Sequence, residues 1–289
     1  YELDDDLWAV AEDNPAVAIR DEKKRQYELL IKEADAVTTT NDYLANKIKK
    51  INNNVYICPN AIDYDIYLPR RKDNETLIIG YSGASSHYAD LIPATEALID
   101  LQAKYKFKVC WQGLTTPPLE SEMYFYQKVN ILGVQPEKKT FFDNALKWYE
   151  LVKQLDYFHI PFHFPELFPE VLKRCNFDIG ICPVLDTEFN KSKSCIKYYE
   201  YASVGTPTLA SDCAPYNREV SYRCKNTKED WYKKLEKLIT DADFREKLAQ
   251  DQYKWVRENR SIRKIVDKWE EALDPGYEKT TSNQNYTNS

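Results

Sequence analysis

A pair of lysines, a serine and a glutamate follow one apolar run of the sequence at a spacing that suits the binding of an anion. The run 177–183 predicts a buried strand, and the loop after it leads into a helix predicted over 194–204. Lys191 and Lys193 lie just before this helix, and Ser194 can cap it. A phosphate group there would meet lysine charge, a hydroxyl group and the positive end of the helix dipole. The segment therefore predicts a phosphate site at the start of the helix.

The same helix carries a candidate sugar-binding carboxylate, Glu200. Lys193, Lys197 and Glu200 are separated by four and three residues, so they share one face if the helix extends back to position 193. A carboxylate there can accept hydrogen bonds from the ribose hydroxyls that lie beyond the phosphates of a nucleotide. The residues alone leave a second interpretation open, a solvated ion pair between lysine and glutamate on an exposed face.

A second candidate anion site lies between Gly80 and His87. The run 76–83 predicts a buried strand that ends in a glycine turn, and the small residues Ser82 and Gly83 would let backbone amides come close to a diphosphate. An ordinary turn between a strand and a helix would use the same residues, and this interpretation stays open. His87 is placed to contact a phosphate or a second substrate, or to cap the next helix.

Two further patterns suggest a metal site, and neither fits its surroundings. The aspartates at 4–6 resemble a metal-binding DxD motif, but such a motif follows a nucleotide-binding sheet, and only three residues precede this one. We therefore expect them to face a cleft or to cap a turn, and the capping role is favoured. His159 and His163 are four residues apart, but Pro161 excludes a regular helix, so they are interpreted as packing residues. No metal ion and no cofactor is expected.

The elements that must position these residues alternate between strands and helices along the chain. Apolar runs with β-branched residues predict strands, and apolar residues at helical spacing predict helices. Strands are predicted over 36–40, 55–58, 76–83, 107–111, 158–162, 177–183 and 206–210, and helices over 16–34, 42–50, 88–104, 141–155, 165–175, 194–204, 228–240, 242–259 and 262–273. This order predicts an α/β fold, with a Rossmann-like parallel sheet that carries helices on both faces.

The bulk composition excludes several classes of protein. The chain has 289 residues, of which 43% are hydrophobic and 30% charged, as is typical of a globular protein. Its net charge of -6 argues against a general affinity for nucleic acid, so any anion site must be local. The seven cysteines form no CxxC pair and are odd in number, which predicts reduced thiols and a cytoplasmic location. No apolar run is long enough to span a membrane, although peripheral contact with a membrane stays compatible with the sequence.

The stretch from 178 to 212 resembles a known sequence signature. Its segments Asp178-Ile-Gly-Ile-Cys-Pro-Val, Phe189-Asn-Lys-Ser-Lys-Ser and Lys197-Tyr-Tyr-Glu-Tyr-Ala-Ser-Val-Gly-Thr-Pro look like the donor site of retaining glycosyltransferases that have the GT-B fold and use nucleotide sugars, the group 1 or family 4-like transferases. The segments 34–45 and 55–63 are similar to the passage by which such enzymes leave the acceptor domain and enter the donor domain. The resemblance covers about residues 1–273.

The resemblance implies a role for each candidate residue. By the resemblance, Lys193 and the amides of 194–196 would bind the diphosphate, and Glu200 would bind the ribose. The turn 80–83 would lie against the donor phosphates. Asn60 matches an asparagine near the hinge between the two domains. Lys193 and Glu200 are the expected catalytic residues. The expected donor-binding residues are Gly80, Ser82, Gly83, Lys193, Ser194, Cys195, Ile196 and Glu200.

Two departures from the family pattern concern charge. The pattern has a second glutamate eight residues before the ribose-binding one, and this chain has Ser192 there, with Asp186 and Glu188 displaced upstream. The carboxylate that contacts the donor sugar is therefore unassigned. The arginine and lysine that usually follow the first glycine loop are replaced by the serines and the histidine of 85–87, which places more of the phosphate charge on Lys193.

The resemblance also implies a division of the chain and an activity. We expect an incomplete acceptor-side Rossmann-like domain over 1–62, a linker over 63–75, a donor-binding domain over 76–258, a helix over 259–273 that packs back on the first domain, and a flexible tail over 274–289. The implied activity is transfer of a sugar, with retention, from a nucleoside diphosphate sugar to a glycan, lipid or protein, as in polysaccharide biosynthesis. The alternatives are a sugar-nucleotide epimerase of the same fold and a non-catalytic nucleotide- or glycan-binding module.

Overall fold

Strands and helices alternate along the part of the chain that the computed structural model describes, which comprises residues 1–10, 17–70, 74–114 and 139–274. Numbered in chain order, the described strands are β1 (Val37–Thr39), β2 (Val55–Ile57), β3 (Ile78–Ser82), β4 (Lys108–Gln112), β5 (Tyr157–Ile160), β6 (Ile179–Cys182), β7 (Thr208–Ser211) and β8 (Arg223–Cys224). The described helices are α1 (Val17–Glu33), α2 (Asp42–Ile48), α3 (Tyr88–Gln102), α4 (Lys139–Val152), α5 (Phe168–Cys175), α6 (Glu188–Lys191), α7 (Ile196–Ser203), α8 (Lys228–Thr240), α9 (Ala242–Arg260) and α10 (Ile262–Leu273).

The first part of the chain forms a small parallel sheet. Strands β1 and β2 pair in parallel, and α2 makes the crossover between them. Helix α2 begins after Asn41, whose side chain accepts a 3.0 Å hydrogen bond from the Leu44 amide. Ile31, Leu44 and Ile48 are fully buried against the strands, so the helices bury one apolar face each on this sheet.

The second sheet is larger, and its described strands all run parallel in the order β5-β4-β3-β6-β7-β8. From β3 the chain builds outward through β4 to β5, and then returns to the other side of β3 to build β6, β7 and β8. The direction of strand addition therefore reverses between β3 and β6, where Gly80 lies opposite Gly180. A crevice that can hold a ligand forms beyond the carboxyl ends of the strands at such a switch point.

Helices cover both faces of the larger sheet. On one face, the fully buried Trp148 of α4 and Trp231 of α8 pack with α3 on the strands. On the other face, Tyr201 of α7 and Val256 of α9 form a second buried cluster with α5. The predicted α/β fold, a parallel sheet with helices on both faces, is confirmed. Among the described helices, none is long and apolar enough to cross a membrane.

Several local predictions need correction. The predicted loop 184–193 contains α6, which starts after Thr187, where the side chain accepts a 3.1 Å bond from the Asn190 amide. The two-residue strand β8 is too short to give a periodic signal. The helix predicted over 194–204 corresponds to α7, which begins later, at Ile196, and ends earlier, at Ser203. Residues 275–289 of the predicted tail and 71–73 of the predicted linker lie outside the described residues.

The chain passes between the two sheets at two neighbouring points. Ile62 follows β2 and forms an isolated bridge with Ser261, which lies between α9 and α10. The Ile62 amide donates to the Arg260 carbonyl at 2.7 Å, and the Ile262 amide donates to the Ile62 carbonyl at 2.9 Å. Helix α10 then packs beside β2, so the end of the described chain returns to the first sheet.

Candidate functional site

A cavity of about 300 Å³ lies beyond the carboxyl ends of β3, β4 and β6, at the switch point of the larger sheet. Several residues that the sequence singles out line it, namely Asn60, Ser82, Gly83, His87, Lys193, Ser194, Ile196 and Glu200. Asp4 and Asp5 from the first part of the chain complete one wall. A second cavity of about 260 Å³ adjoins it and shares Asn60, Lys193 and Ser194. The site therefore lies between the two sheets.

Lys193 is the cavity lysine whose charge a ligand can reach. Its Nζ lies 3.2 Å from Asp5 Oδ1 and 4.5 Å from the centre of the Phe189 ring. The side chain is 24% exposed, so it is partly open to the solvent of the cavity. An ammonium group in this position can donate charge-assisted hydrogen bonds to a phosphate.

Lys197 also lines the cavity, but the protein already uses its ammonium group. Its Nζ donates a 2.5 Å bond to the Ser82 carbonyl and lies 4.4 Å from the centre of the Tyr81 ring. Burial lowers the pKa of this lysine below its usual value. Lys197 therefore ties the end of β3 to α7 and helps to shape the cavity.

Glu200 lies one turn into α7 and faces the cavity. Its Oε1 accepts a 3.1 Å hydrogen bond from the Tyr67 hydroxyl. Burial raises the pKa of this carboxyl to about 7, against the opposing effect of Lys197. The carboxylate keeps acceptor capacity beyond the one bond from Tyr67, so it can accept further bonds from ligand hydroxyls.

Changing Glu200 to glutamine should alter how stability depends on pH. Because the pKa of the carboxyl rises from 4.5 to about 7 on folding, its contribution to stability is fully present below pH 4.5 and is lost as the pH rises through 7. Glutamine does not titrate, so the wild type should lose stability relative to Glu200→Gln over this range. Free energies of unfolding in urea, measured at about pH 5 and about pH 8, check this. An equal difference between the two proteins at both pH values would contradict it.

The start of α7 differs from the prediction. The helix begins at Ile196, and Cys195 occupies its N-cap without a side-chain bond to the helix. Ser194 does not cap, since its hydroxyl accepts a 2.7 Å bond from the side-chain amide of Asn60. The thiol of Cys195 is buried, 3.4 Å from the Pro215 carbonyl, and lines the adjoining cavity. Ile196 lines the main cavity, so the free amides of the first helical turn lie at its wall.

The first glycine turn reaches the cavity only at its end. Ser82 and Gly83 line the cavity, and the Ser82 hydroxyl contacts the side chain of Gln112. Gly80 lies inside β3, where a Cβ would stand 2.1 Å from the ring of Phe177. The prediction that Gly80 contacts the donor is therefore corrected: the position is glycine because Phe177 packs directly on the strand.

His87 lines the cavity and is held by a buried carboxylate. Its Nδ1 lies 2.7 Å from Asp90 Oδ2, and the other oxygen of Asp90 accepts a 2.6 Å bond from the Leu185 amide. Burial lowers the pKa of His87, which favours the neutral ring. With Nδ1–H donating to Asp90, Nε2 is an acceptor and has no proton for a phosphate oxygen. In this arrangement the ring can accept a hydrogen bond from a hydroxyl group in the cavity.

Ser192 connects the loop before α7 to the first part of the chain. Its side chain is fully buried, and its hydroxyl accepts a 3.0 Å bond from the Asp6 amide. Its carbonyl accepts a bond from the side chain of Asn41. Ser192 is therefore a structural contact between the two parts and lies away from the cavity.

Glu188 and Asp186 do not line the cavity either. Glu188 forms an ion pair with Lys191 at 2.6 Å and accepts a bond from the Tyr43 hydroxyl. The two carboxylates that the sequence shows displaced upstream, as possible site residues, thus lie outside the cavity.

The three N-terminal aspartates have different surroundings. Asp6 is fully buried, forms an ion pair with Lys47 and accepts a 3.2 Å bond from the Trp8 amide, so it has the predicted capping role. Asp4 and Asp5 face the cleft and line the cavity. No sequence signal connects them to α7, because they approach it only through the tertiary structure.

The paired histidines do not meet. His159 Nε2 contacts the Leu114 carbonyl, and His163 Nδ1 lies 2.7 Å from the Pro161 carbonyl. Each ring is therefore engaged separately with the backbone. Over the whole described part of the chain, no group of three or more His, Cys, Asp and Glu side chains is placed to hold a metal ion.

Comparison with known proteins gives matches in structure. No protein-family model matches the chain, and no curated protein matches it in sequence. The structure of HepE from Anabaena in complex with UDP-glucose is similar, with a TM-score of 0.65 and 12% identity over 94% of this chain and 71% of that chain. TarM from S. aureus, in a complex that includes UDP, gives a TM-score of 0.60 and 12% identity over 88% of this chain and 46% of that chain. A glycosyltransferase from Rickettsia africae gives a TM-score of 0.56 and 14% identity over 86% of this chain and 65% of that chain.

These matches and the switch-point cavity agree on one architecture. The chain has the GT-B fold. This confirms the predicted GT-B type, with its parallel sheet and helices on both faces. The GT-B chain described here spans 65% of the length of the Rickettsia africae glycosyltransferase and 46% of that of TarM. Identities of 12% to 14% show a shared fold only.

Proposed function

We propose that this chain is the nucleotide-sugar-binding part of a retaining glycosyltransferase of the family 4-like group. It would transfer a sugar from a nucleoside diphosphate sugar to a glycan, lipid or protein acceptor, as in polysaccharide biosynthesis. The observation that carries the proposal is the cavity at the switch point, in which Lys193, the first turn of α7 and Glu200 meet. The GT-B fold and the complexes of HepE with UDP-glucose and of TarM with UDP support it.

The spacing of the cavity groups suits a nucleotide. The diphosphate would lie between the Lys193 ammonium and the amides at the start of α7. Glu200 is four residues further along the helix, or about 6 Å at the helical rise of about 1.5 Å per residue. A ribose directly bonded to the diphosphate would lie at this distance, with its hydroxyls donating to the Glu200 carboxylate.

Catalysis would come from charge stabilisation at the leaving group. Negative charge develops on the diphosphate as the glycosidic bond breaks, and preorganised donors at that point lower the barrier. Lys193 and the helix amides would supply such donors at the cavity wall. The proposal uses no metal ion and no cofactor, since lysine provides the cation.

We also propose a division of the chain. Residues 1–62 with the small sheet would form the acceptor side, 63–75 the linker, 76–258 the donor domain, and 259–273 the helix that returns to the first sheet. The pairing of Ile62 with Ser261 supports the placement of both crossings. We propose a cytoplasmic location, with peripheral membrane contact if the acceptor is a lipid, and no nucleic-acid partner.

Titration calorimetry with UDP, GDP, TDP, ADP and CMP tests the proposed function. One nucleotide should bind, and Glu200→Ala should weaken its binding about 10-fold, the value of one or two hydrogen bonds to the ribose. Glu188→Ala is the control, because it also removes a glutamate, from the segment that precedes α7 and lies outside the cavity. If no nucleotide binds to the folded chain, the donor site is wrong, and a non-catalytic glycan-binding module takes its place.

A further inference from the structure

The cavity contains an ion pair between residues that are far apart in the sequence. Lys193 Nζ lies 3.2 Å from Asp5 Oδ1, and 188 residues separate the two. Both side chains line the cavity. The lysine side chain is 24% exposed and the aspartate side chain 39% exposed, so an entering ligand can reach the pair.

The backbone beside this ion pair is fixed. The Asp6 amide donates a 3.0 Å bond to the buried hydroxyl of Ser192, and the Ser192 carbonyl accepts a bond from the Asn41 side chain. Asp5 directly precedes Asp6 in the sequence, and Lys193 directly follows Ser192, so the bond between Asp6 and Ser192 holds their backbones close together. Their approach therefore follows from contacts between the two parts of the chain, and is more than a chance meeting of two flexible side chains.

The two cavity lysines differ in what an anion must displace. Lys197 donates a 2.5 Å hydrogen bond to the Ser82 carbonyl, and this bond joins α7 to the end of β3. Lys193 is held by the Asp5 carboxylate and by the Phe189 ring. A diphosphate carries more negative charge than one carboxylate and offers several acceptor oxygens, so it can replace Asp5 at the Lys193 ammonium.

We propose that Asp5 competes with the donor diphosphate for Lys193, so that donor binding replaces an ion pair between the two parts of the chain by one between protein and ligand. This inference rests on the proposed function, because it takes the diphosphate of a nucleotide sugar as the competing anion. Asp5 acts through Lys193, as an anion that occupies the ammonium group when no donor is bound. It holds the ammonium group at the cavity wall before the donor enters and releases it when the donor binds.

The test is titration calorimetry of the wild type, Asp5→Asn and Asp4→Asn with inorganic pyrophosphate and with the same nucleotides. Asp4 lines the same cavity, so its replacement removes the same charge but leaves the pair of Asp5 with Lys193 intact. We expect Asp5→Asn to bind about two to five times more tightly than the wild type, the value of a partly exposed ion pair, and Asp4→Asn to gain less. In a Lys193→Ala background, Asp5→Asn should raise affinity no more than Asp4→Asn does in the wild type. Asp5→Ser, as a second variant, should behave like Asp5→Asn.

The outcomes separate this inference from the proposed function. If the wild type binds a nucleotide and Asp5→Asn binds it no more tightly, the competition is wrong and the proposed function stands. If Asp5→Asn binds pyrophosphate more tightly than the wild type while no nucleotide binds to either, the competition stands and the donor assignment is wrong. Equal gains in Asp5→Asn and Asp4→Asn would overturn the inference, because they would reflect net charge alone.

Discussion

A chain with alanine in place of Lys193 is expected to bind its nucleoside diphosphate about 10 to 100 times more weakly than the wild type. Lys193 lines the cavity and is held there by Asp5, whereas Lys197 is engaged by the Ser82 carbonyl. A hydrogen bond to a charged group contributes about 1.5 to 3 kcal/mol, which corresponds to this factor. Titration calorimetry of both proteins with the best-binding nucleotide measures the loss.

Lys191→Ala is the matched control for this prediction. Lys191 lies two residues earlier, is 34% exposed and pairs with Glu188 at 2.6 Å, outside the cavity. Its replacement removes the same charge from the same loop, and we expect affinity to change by less than about twofold, as for a surface ion pair. If both variants lose affinity equally, the nucleotide responds to the overall charge of the loop, and the assignment of the diphosphate to Lys193 fails.

Replacing Asp178 by alanine should lower the free energy of unfolding by about 3 to 5 kcal/mol. Its carboxylate, just before β6, accepts bonds from the Ile78 amide at 2.9 Å and the Asn74 side chain at 2.8 Å, and lies 3.2 Å from Arg70 Nη1. The Arg70 side chain is 7% exposed, and its burial lowers the pKa of the guanidinium. The variant therefore removes the contact of Asp178 with the buried guanidinium and two further hydrogen bonds, one of which joins the carboxylate to the start of β3.

Asp212→Ala provides the comparison for Asp178→Ala. Asp212 also pairs with an arginine, Arg223, at 2.7 Å, but its side chain is 49% exposed. Water can replace the lost partner there, so we expect a loss of at most about 1 kcal/mol. Urea denaturation of the two variants and the wild type measures both values. A loss for Asp178→Ala within about 1 kcal/mol of that for Asp212→Ala would contradict the role assigned to the buried pair.

The elements with strong local signals were predictable from the sequence. Helix α8 has a capping threonine, Thr227, whose side chain accepts a 3.3 Å bond from the Asp230 amide, and both ends of the helix match the prediction. Strand β8 pairs only two residues at the edge of the sheet, and no periodic pattern can indicate so short an element. Local capping and periodicity therefore determine which boundaries a sequence can predict.

The same distinction applies to the candidate site. Lys197 and Glu200 lie on one helix, and helical geometry alone places both on one face. The structure shows that this face lines the cavity. The capping role predicted for Ser194 is wrong, because Asn60 from a distant segment binds its hydroxyl. Asp5 reaches Lys193 across 188 residues, and only the packing of one sheet on the other brings them together. Contacts of this kind depend on tertiary structure and leave no spacing in the sequence.

The two neighbouring crossings determine how the cavity can open. Because Ile62 and Ser261 lie side by side and backbone hydrogen bonds join their segments, a line through them is the natural axis for rotation of the first sheet relative to the second. Asn60, two residues before Ile62, donates a hydrogen bond to Ser194 and so also joins the two parts near this axis in the sequence. Rotation that separates Asp5 from Lys193 would also break the buried bond from the Asp6 amide to Ser192 and the bond from Asn41 to the Ser192 carbonyl, so these contacts resist opening of the cavity on the side of the first ten residues.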